Sequence, residues 1–472
     1  MSMRHFFYVV MMMVGTVAIG GCAGGDVKLI TLDPGHFHAG LVQKTMYPGV
    51  DPVVHVYAPG GKYQDDLNEH LKRVAGFNAR AVNPTVWKED VYAGPDYFER
   101  MLAEQGGKPG EVVVIAGNNA RKTEYILKSV RAGLNVLGDK PMAINPNEFE
   151  MLKEAFATAA GKHVMLYDIM TERYEIWTML QRELSQNAGV FGELEKGTPE
   201  NPAITMESVH YFSKIVAGSP LKRPTWFFDV RQEGEGIVDV TSHLVDLVQW
   251  EAFPEQVLSP EDVTMNAARR TATALTKGQF NSVTGRAPQE DFPDFLRQDV
   301  KNEVLQVYSN GQFEYTLRGV HTKVSVVWNF ASAPGAGDSH YSVMRGTQAT
   351  LTIKQGQMQS FKPVLYVENM RGDDGAFEAA LKNAVKELEA KYPGIGVRPQ
   401  NAAEAGGRPG GVSGAWAITV PASYDVGHEA HFSQVTNNFL AYLKSGQMPA
   451  WEVPGMITKY ATLMKAYEVS HR

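Results

Sequence analysis

Apolar and polar positions alternate along this chain in two different textures. Asp26 to Leu32 (DVKLITL) is an apolar run of strand character, broken at Asp33-Pro34-Gly35-His36-Phe37-His38, and a helical pattern follows from Ala39. Val53 to Tyr57 (VVHVY) reads as the next strand and Pro95 to Glu104 as a helix, with proline in the first turn, where a missing N–H costs nothing. Glu111 to Ala116 (EVVVIA) is a near-continuous β-branched run, which predicts a strand buried on both faces. It ends at Gly117-Asn118-Asn119, and a helix over Arg121 to Ala132 follows. A short strand at Asn135 to Leu137 runs into Gly138-Asp139-Lys140-Pro141; Glu148 to Ala160 is helical and His163 to Tyr167 is again a strand. Strand and helix in alternation predict an α/β unit with a parallel, doubly wound sheet.

Beyond about residue 168 the texture changes. Arg173 to Ser185 reads as a long helix and Thr205 to Phe212 as an alternating strand. EVLQVYS, QFEYTLRG and KVSVVWNF, between Asn302 and Phe330, alternate with no helix between them, and Ser342 to Ile353 adds a strand pair. Such runs predict a largely antiparallel sheet with one face packed. Gly375 to Glu389 is a charged helix, Val397 to Gly414 reads as a mobile loop or insertion, and two helices close the chain at His428 to Ser445 and Pro454 to Ser470.

Between these strands lies the stretch with the densest chemistry, Gly234-Glu235-Gly236 followed by Ile237 to Trp250. Asp239, His243 and Asp246 stand at i, i+4 and i+7. At about 100° per residue they fall within about 60° on one helix face. A carboxylate one turn before an imidazole can orient the ring and raise its basicity, which makes His243 a candidate general acid/base. A structural acid–histidine pair at a helix start is the competing reading. A divalent metal on the same face would need a further Cys or His cluster to complete it, so no metal is assigned.

Composition narrows the picture. At 472 residues two domains are expected, and a net charge of −7 without a basic stripe excludes nucleic acid as a natural partner. Arg4 precedes the apolar run Phe6 to Ile19, and Gly20-Gly21 precede Cys22, the only cysteine. This is a secretory signal that resembles a bacterial lipobox, against a plain signal peptide or a short anchor. Residues 1–21 are expected to be removed and Cys22 lipidated, leaving an exported chain tied to a membrane by its N-terminal lipid alone. A lone cysteine allows no intrachain disulfide.

A nucleotide-binding pattern, a strand ending in Asp139-Lys140-Pro141 and Asp239-x-x-x-His243 after glycines stand here in one order. The chain thereby resembles the glucose–fructose oxidoreductase / inositol dehydrogenase (Gfo/Idh/MocA) family, over residues 26 to 355 and 428 to 472. The resemblance implies a Rossmann domain over 26–167 and an α/β domain over 168–472 with a large, mostly antiparallel sheet, in which 365–427 reads as an insertion. It implies that Lys140 is the catalytic lysine beside the nicotinamide, His243 the proton-transfer residue and Asp239 its orienting acid. Arg173, Trp226 and Asp246 are carried as substrate contacts, each with a structural alternative. Gly35, His36, Phe37, His38, Gly117, Asn118, Asn119 and Lys140 are expected around the cofactor.

The glycine-rich turn departs from the family's G-x-G-x-x-G. Its slots hold Asp33, Gly35 and His38, so the middle glycine alone survives. No acid ends the second strand at Tyr57-Ala58-Pro59, and Lys62 could accept a 2′-phosphate, a slight lean toward NADP over NAD. The implied activity is oxidation of a sugar or polyol hydroxyl with a tightly bound, recycled cofactor. A glycosidase working by transient oxidation and a non-catalytic carbohydrate-binding lipoprotein are the alternatives. The resemblance also leaves room for a homo-oligomer built through the C-terminal sheet.

Overall fold

The structure, a computed structural model, describes residues 26–216, 219–333, 336–400 and 414–472. Cys22 and the expected signal segment lie outside the described residues. Among the described residues no helix is long and apolar enough to cross a membrane.

Six strands make the first sheet: β1 (Lys28–Leu32), β2 (Val53–Ala58), β3 (Lys88–Ala93), β4 (Glu111–Ile115), β5 (Asn135–Asp139) and β6 (Leu166–Ile169). They are ordered β3-β2-β1-β4-β5-β6, and every pairing is parallel. This is the doubly wound arrangement the alternation predicts. β4 is buried at all five positions because helices cover both faces of a parallel sheet. β3, with the sequence KEDVYA, lies at the sheet edge and is half exposed, so no apolar run announces it. The connections leave β1 and β4 toward opposite edges. A crevice therefore opens at their carboxyl ends, formed by the Asp33–Phe37 and Ala116–Asn119 turns.

The second sheet has ten strands. Ile204–Ser213 pairs parallel with Val320–Ala331 and antiparallel with Ser339–Arg345; the remaining pairings are antiparallel. Val304–Leu317 alternates buried and half-buried positions, as a strand packed on one face must. The segment read as an insertion supplies one edge of this sheet through Val364–Asn369, Ala415–Thr419 and Gly396–Gln400. Of the stretch read as a mobile loop, residues 397–400 are strand, and residues 401–413 lie outside the described residues. The helices Ile176–Ser185, Thr241–Ala252 and Glu452–Ser470 pack against the sheet.

Two elements differ from the pattern-based expectation. The helix read from Arg173 begins only at Ile176, after a turn over Thr171–Tyr174, because the Glu175 side chain accepts from the Trp177 N–H and caps it there. The central helix begins at Thr241, so Asp239 lies in the turn before it. Gly236 explains that turn: a Cβ there would stand 1.8 Å from the Ser309 carbonyl oxygen, so only glycine lets the chain press against the neighbouring strand.

Candidate active site

The carboxyl end of β5 delivers Asp139 and Lys140 to the junction of the two sheets. The Lys140 ammonium lies 2.5 Å from Asp239 Oδ1, both side chains nearly buried at 11% and 7% exposure. Burial pulls the ammonium's pKa down, but the Asp239 and Asp139 carboxylates outweigh it and hold Lys140 above the usual lysine value. Asp239 therefore serves the lysine. The expected Asp239–His243 pairing does not form, because the late helix start turns the two residues apart.

His243 sits buried on the first turn of Thr241–Ala252, and its Nδ1 has no hydrogen-bond partner among the described residues. Burial, reinforced by the positive charge of Lys140, holds its pKa down to about 4, so the ring is neutral at neutral pH. Glu172, in the turn after β6, pairs with His428 Nδ1 at 3.2 Å. Burial works against the charged form of Glu172, but the His428 hydrogen bond and the nearby imidazoles pull its pKa well down. His428 opens the helix His428–Ser445, so the closing part of the chain reaches into the site. No local motif marks Glu172 or His428, and sequence reasoning missed both.

On the β1 side, His38 Nδ1 stands 2.9 Å and His36 Nδ1 3.9 Å from Asp139 Oδ2. The two rings meet edge to face with centroids 4.1 Å apart. Both histidines thus face the cleft. Phe37 packs against both rings and under the Arg73 guanidinium. Lys122, fully buried, donates to the Asp139 carbonyl at 3.0 Å and anchors that strand end.

The switch-point crevice is built from backbone. A Cβ on Gly117 would stand 2.1 Å from the Asp33 carbonyl oxygen, so the β1 and β4 turns touch there. Asp33 turns away from the crest and accepts from the Tyr125 hydroxyl at 3.0 Å. Asn118 and Asn119 spend their side-chain amides on Gln232 and on the Glu233 carbonyl, at 2.7 and 2.6 Å, and so tie the two halves together. Their side chains are thereby spent within the protein, and their backbone borders the crevice where the cofactor is expected. Trp226, 5% exposed, lies against Gly35 and donates to Asp66 at 3.3 Å, a position over the glycine turn that is the structural alternative to a substrate contact. Burial pushes Asp66 up to about 6, against the pull of that hydrogen bond. The helix after the turn, His38–Val42, has only five residues and offers little dipole to a pyrophosphate. A dinucleotide nevertheless fits this chain. The β1 and β4 turns meet at Gly35 and Gly117, the switch point where such a sheet takes a pyrophosphate, with Trp226 and Asp66 against Gly35, and Lys140 and the buried His243 stand at the neighbouring strand end where the nicotinamide would face substrate.

Arg173 and Asp246 are withdrawn from the expected substrate contact. The guanidinium binds Asp246 through Nε and Nη2 at 2.6 and 2.8 Å, and its Nη1 binds Glu452 at 3.1 Å. Lys459 bridges Asp246 and Asp168 at 2.9 and 2.6 Å. Three guanidinium donors, one of them shared between both Glu452 oxygens, are consumed inside the protein, which explains why neither residue is left for a ligand.

Two family models match the chain. Residues 62–167 match "Oxidoreductase family, NAD-binding Rossmann fold", and residues 180–471 match "Putative oxidoreductase C terminal domain". The chain is similar to a crystal structure described as a "putative oxidoreductase" from Parabacteroides merdae, at 52% identity and a TM-score of 0.88, covering 95% of this chain and 98% of that one. It shares its fold with GenD2 from gentamicin A biosynthesis in complex with NAD (14% identity, TM-score 0.53, 97% of each chain). It shares it also with KijD10, a 3-ketoreductase from Actinomadura kijaniata in complex with TDP-benzene and NADP (14% identity, TM-score 0.52, 94% and 96%). No curated protein matches.

Proposed function

Because the chain belongs to the Gfo/Idh/MocA family of NAD(P)-dependent oxidoreductases, we propose that it interconverts a secondary hydroxyl of a sugar or polyol with the corresponding ketone. The observation that carries this reading is the buried Lys140–Asp239 pair at the end of β5, beside a neutral His243 whose Nδ1 is unpartnered. When bound, the nicotinamide accepts or returns the hydride. Lys140 donates a hydrogen bond to the substrate oxygen and stabilises the alkoxide as the hydroxyl proton leaves. His243 accepts that proton on its neutral imidazole, and gives it back in the reverse direction. Asp239 keeps Lys140 charged and aimed. The 3-ketoreductase activity of the structural neighbour KijD10 supports a sugar-like substrate.

We place this enzyme outside the cytoplasm on a lipidated Cys22, where free nicotinamide is scarce, so the cofactor stays bound and is recycled. Mass spectrometry of the nucleotide released when the purified full chain is denatured tests this. Near-stoichiometric NAD or NADP is the expected result, and a nucleotide-free protein with weak affinity for both would contradict tight binding. Incubation with a panel of sugars and their glycosides should give a keto-sugar matched by reduced nicotinamide. Free aglycone with no net reduction would instead assign a hydrolase.

A further inference from the structure

We propose that His36, His38 and Asp139 form a binding site for one divalent transition-metal ion of the zinc class. One ring nitrogen from each histidine and one carboxylate oxygen lie within 4.8 Å of one another. Ligand atoms around such an ion, at about 2 Å from it, stand about 3 to 4 Å apart. The observed 2.9 and 3.9 Å separations from Asp139 Oδ2 to the two Nδ1 atoms fall in that range before any ion draws them in. Two imidazoles and a carboxylate are the donors that borderline ions prefer, and three protein ligands leave positions for an exogenous oxygen.

A hydrogen-bonded His38–Asp139 pair without metal explains less. It uses one imidazole and one oxygen. Asp139 Oδ1 stays buried with no partner among the described residues, and His36 Nδ1 receives only a 3.4 Å approach from the His38 N–H. Asp139 is the carboxylate set against the rings, while Lys140, paired with Asp239 at 2.5 Å, and Lys122, turned to the Asp139 carbonyl, are the cations an ion there would have as neighbours. Lys122 also fixes the peptide of Asp139 from behind, the kind of support that holds a metal ligand in place. Because Asp139 lies a hundred residues from the histidines, no linear motif reveals the group. The inference goes beyond hydride transfer: such an ion offers a Lewis-acid position to an oxygen ligand in the cleft.

Cobalt(II) titration of the chelator-stripped full chain, without nucleotide, reads the site directly. One ion per chain is expected, with ligand-field bands in the visible that zinc abolishes. His38→Gln and Asp139→Asn should weaken binding at least tenfold, and His36→Gln, at the more open ring, provides a third arm should either fail to fold. His55→Gln, on an exposed pair with Asp90, should bind as the wild type does. Absence of stoichiometric binding, or binding that survives all three substitutions, would overturn the site and leave a hydrogen-bonded pair only. Neither result bears on the nicotinamide chemistry, which the titration does not use.

Discussion

A carboxylate 2.5 Å from a buried ammonium decides what each can do. Removing the lysine deletes the group that stabilises the alkoxide, so Lys140→Met should lower turnover by about 10²–10⁴-fold while nucleotide affinity persists. Asp239→Asn removes what holds Lys140 above the usual lysine value. The alkaline limb of the pH–rate profile should then move to lower pH; an unchanged limb would mean that the lysine does not titrate it. His243 gives a separate signal. Its folded pKa of about 4 lies below the ordinary histidine value of 6.5, so the unfolded chain binds more protons between them. Stability from this group is complete above about pH 6.5 and is lost as pH falls toward 4, and urea midpoints of His243→Gln should fall less steeply across that window. Lys140, Asp239 and His243 could be singled out in the sequence because each sits in a short local motif. Their partners were not: the Asp239–Lys140 contact spans 99 residues, and His428 comes from an element that no periodicity links to the site.

At the level of elements, the crest between β1 and β4 is the sharpest constraint. Gly117→Ala must push the Asp33 carbonyl away, since its Cβ would stand at 2.1 Å, whereas Gly35→Ala meets nothing nearer than the Trp226 ring edge at 3.3 Å. The first should cost about 1–3 kcal/mol and blunt nucleotide binding; the second should cost less. Thermal melts and nucleotide titrations of the two variants check the order, and equal effects would contradict it. Asp66 lies beside the same turn with its pKa raised to about 6. Its charge opposes a pyrophosphate, so NAD(P) affinity should fall as pH rises through 6, and Asp66→Asn should remove the dependence. The surviving glycine drew attention to Gly35, yet the packing puts the tighter demand on Gly117. β3 escaped the pattern because an exposed edge strand carries no apolar run, while β4 was plain because both its faces are covered.

At the scale of the whole molecule, buried charges join the two sheets. Asp168 at the end of β6, Arg173, Asp246 on the central helix, and Glu452 and Lys459 on the last helix form one network. Truncating one member leaves a buried charge unpaired. Arg173→Ala should therefore destabilise the fold by about 3–5 kcal/mol, read as a lower urea midpoint, and a stable variant with only a raised KM would return Arg173 to the substrate. Residue types alone could not separate these uses, since a buried arginine fork and a substrate clamp are written with the same letters. Membrane attachment is tested by radiolabelled fatty acid, which should enter the wild type and not Cys22→Ser. The central claim is hydride transfer governed by Lys140 and His243. Its most direct test is single-turnover near-ultraviolet absorbance of the nicotinamide, with the full chain, saturating cofactor and a sugar that the wild type oxidises. Wild type should form reduced nicotinamide in step with ketone, and Lys140→Met and His243→Ala should bind both ligands yet form it at least a hundredfold more slowly. Unchanged rates in either variant would contradict the account.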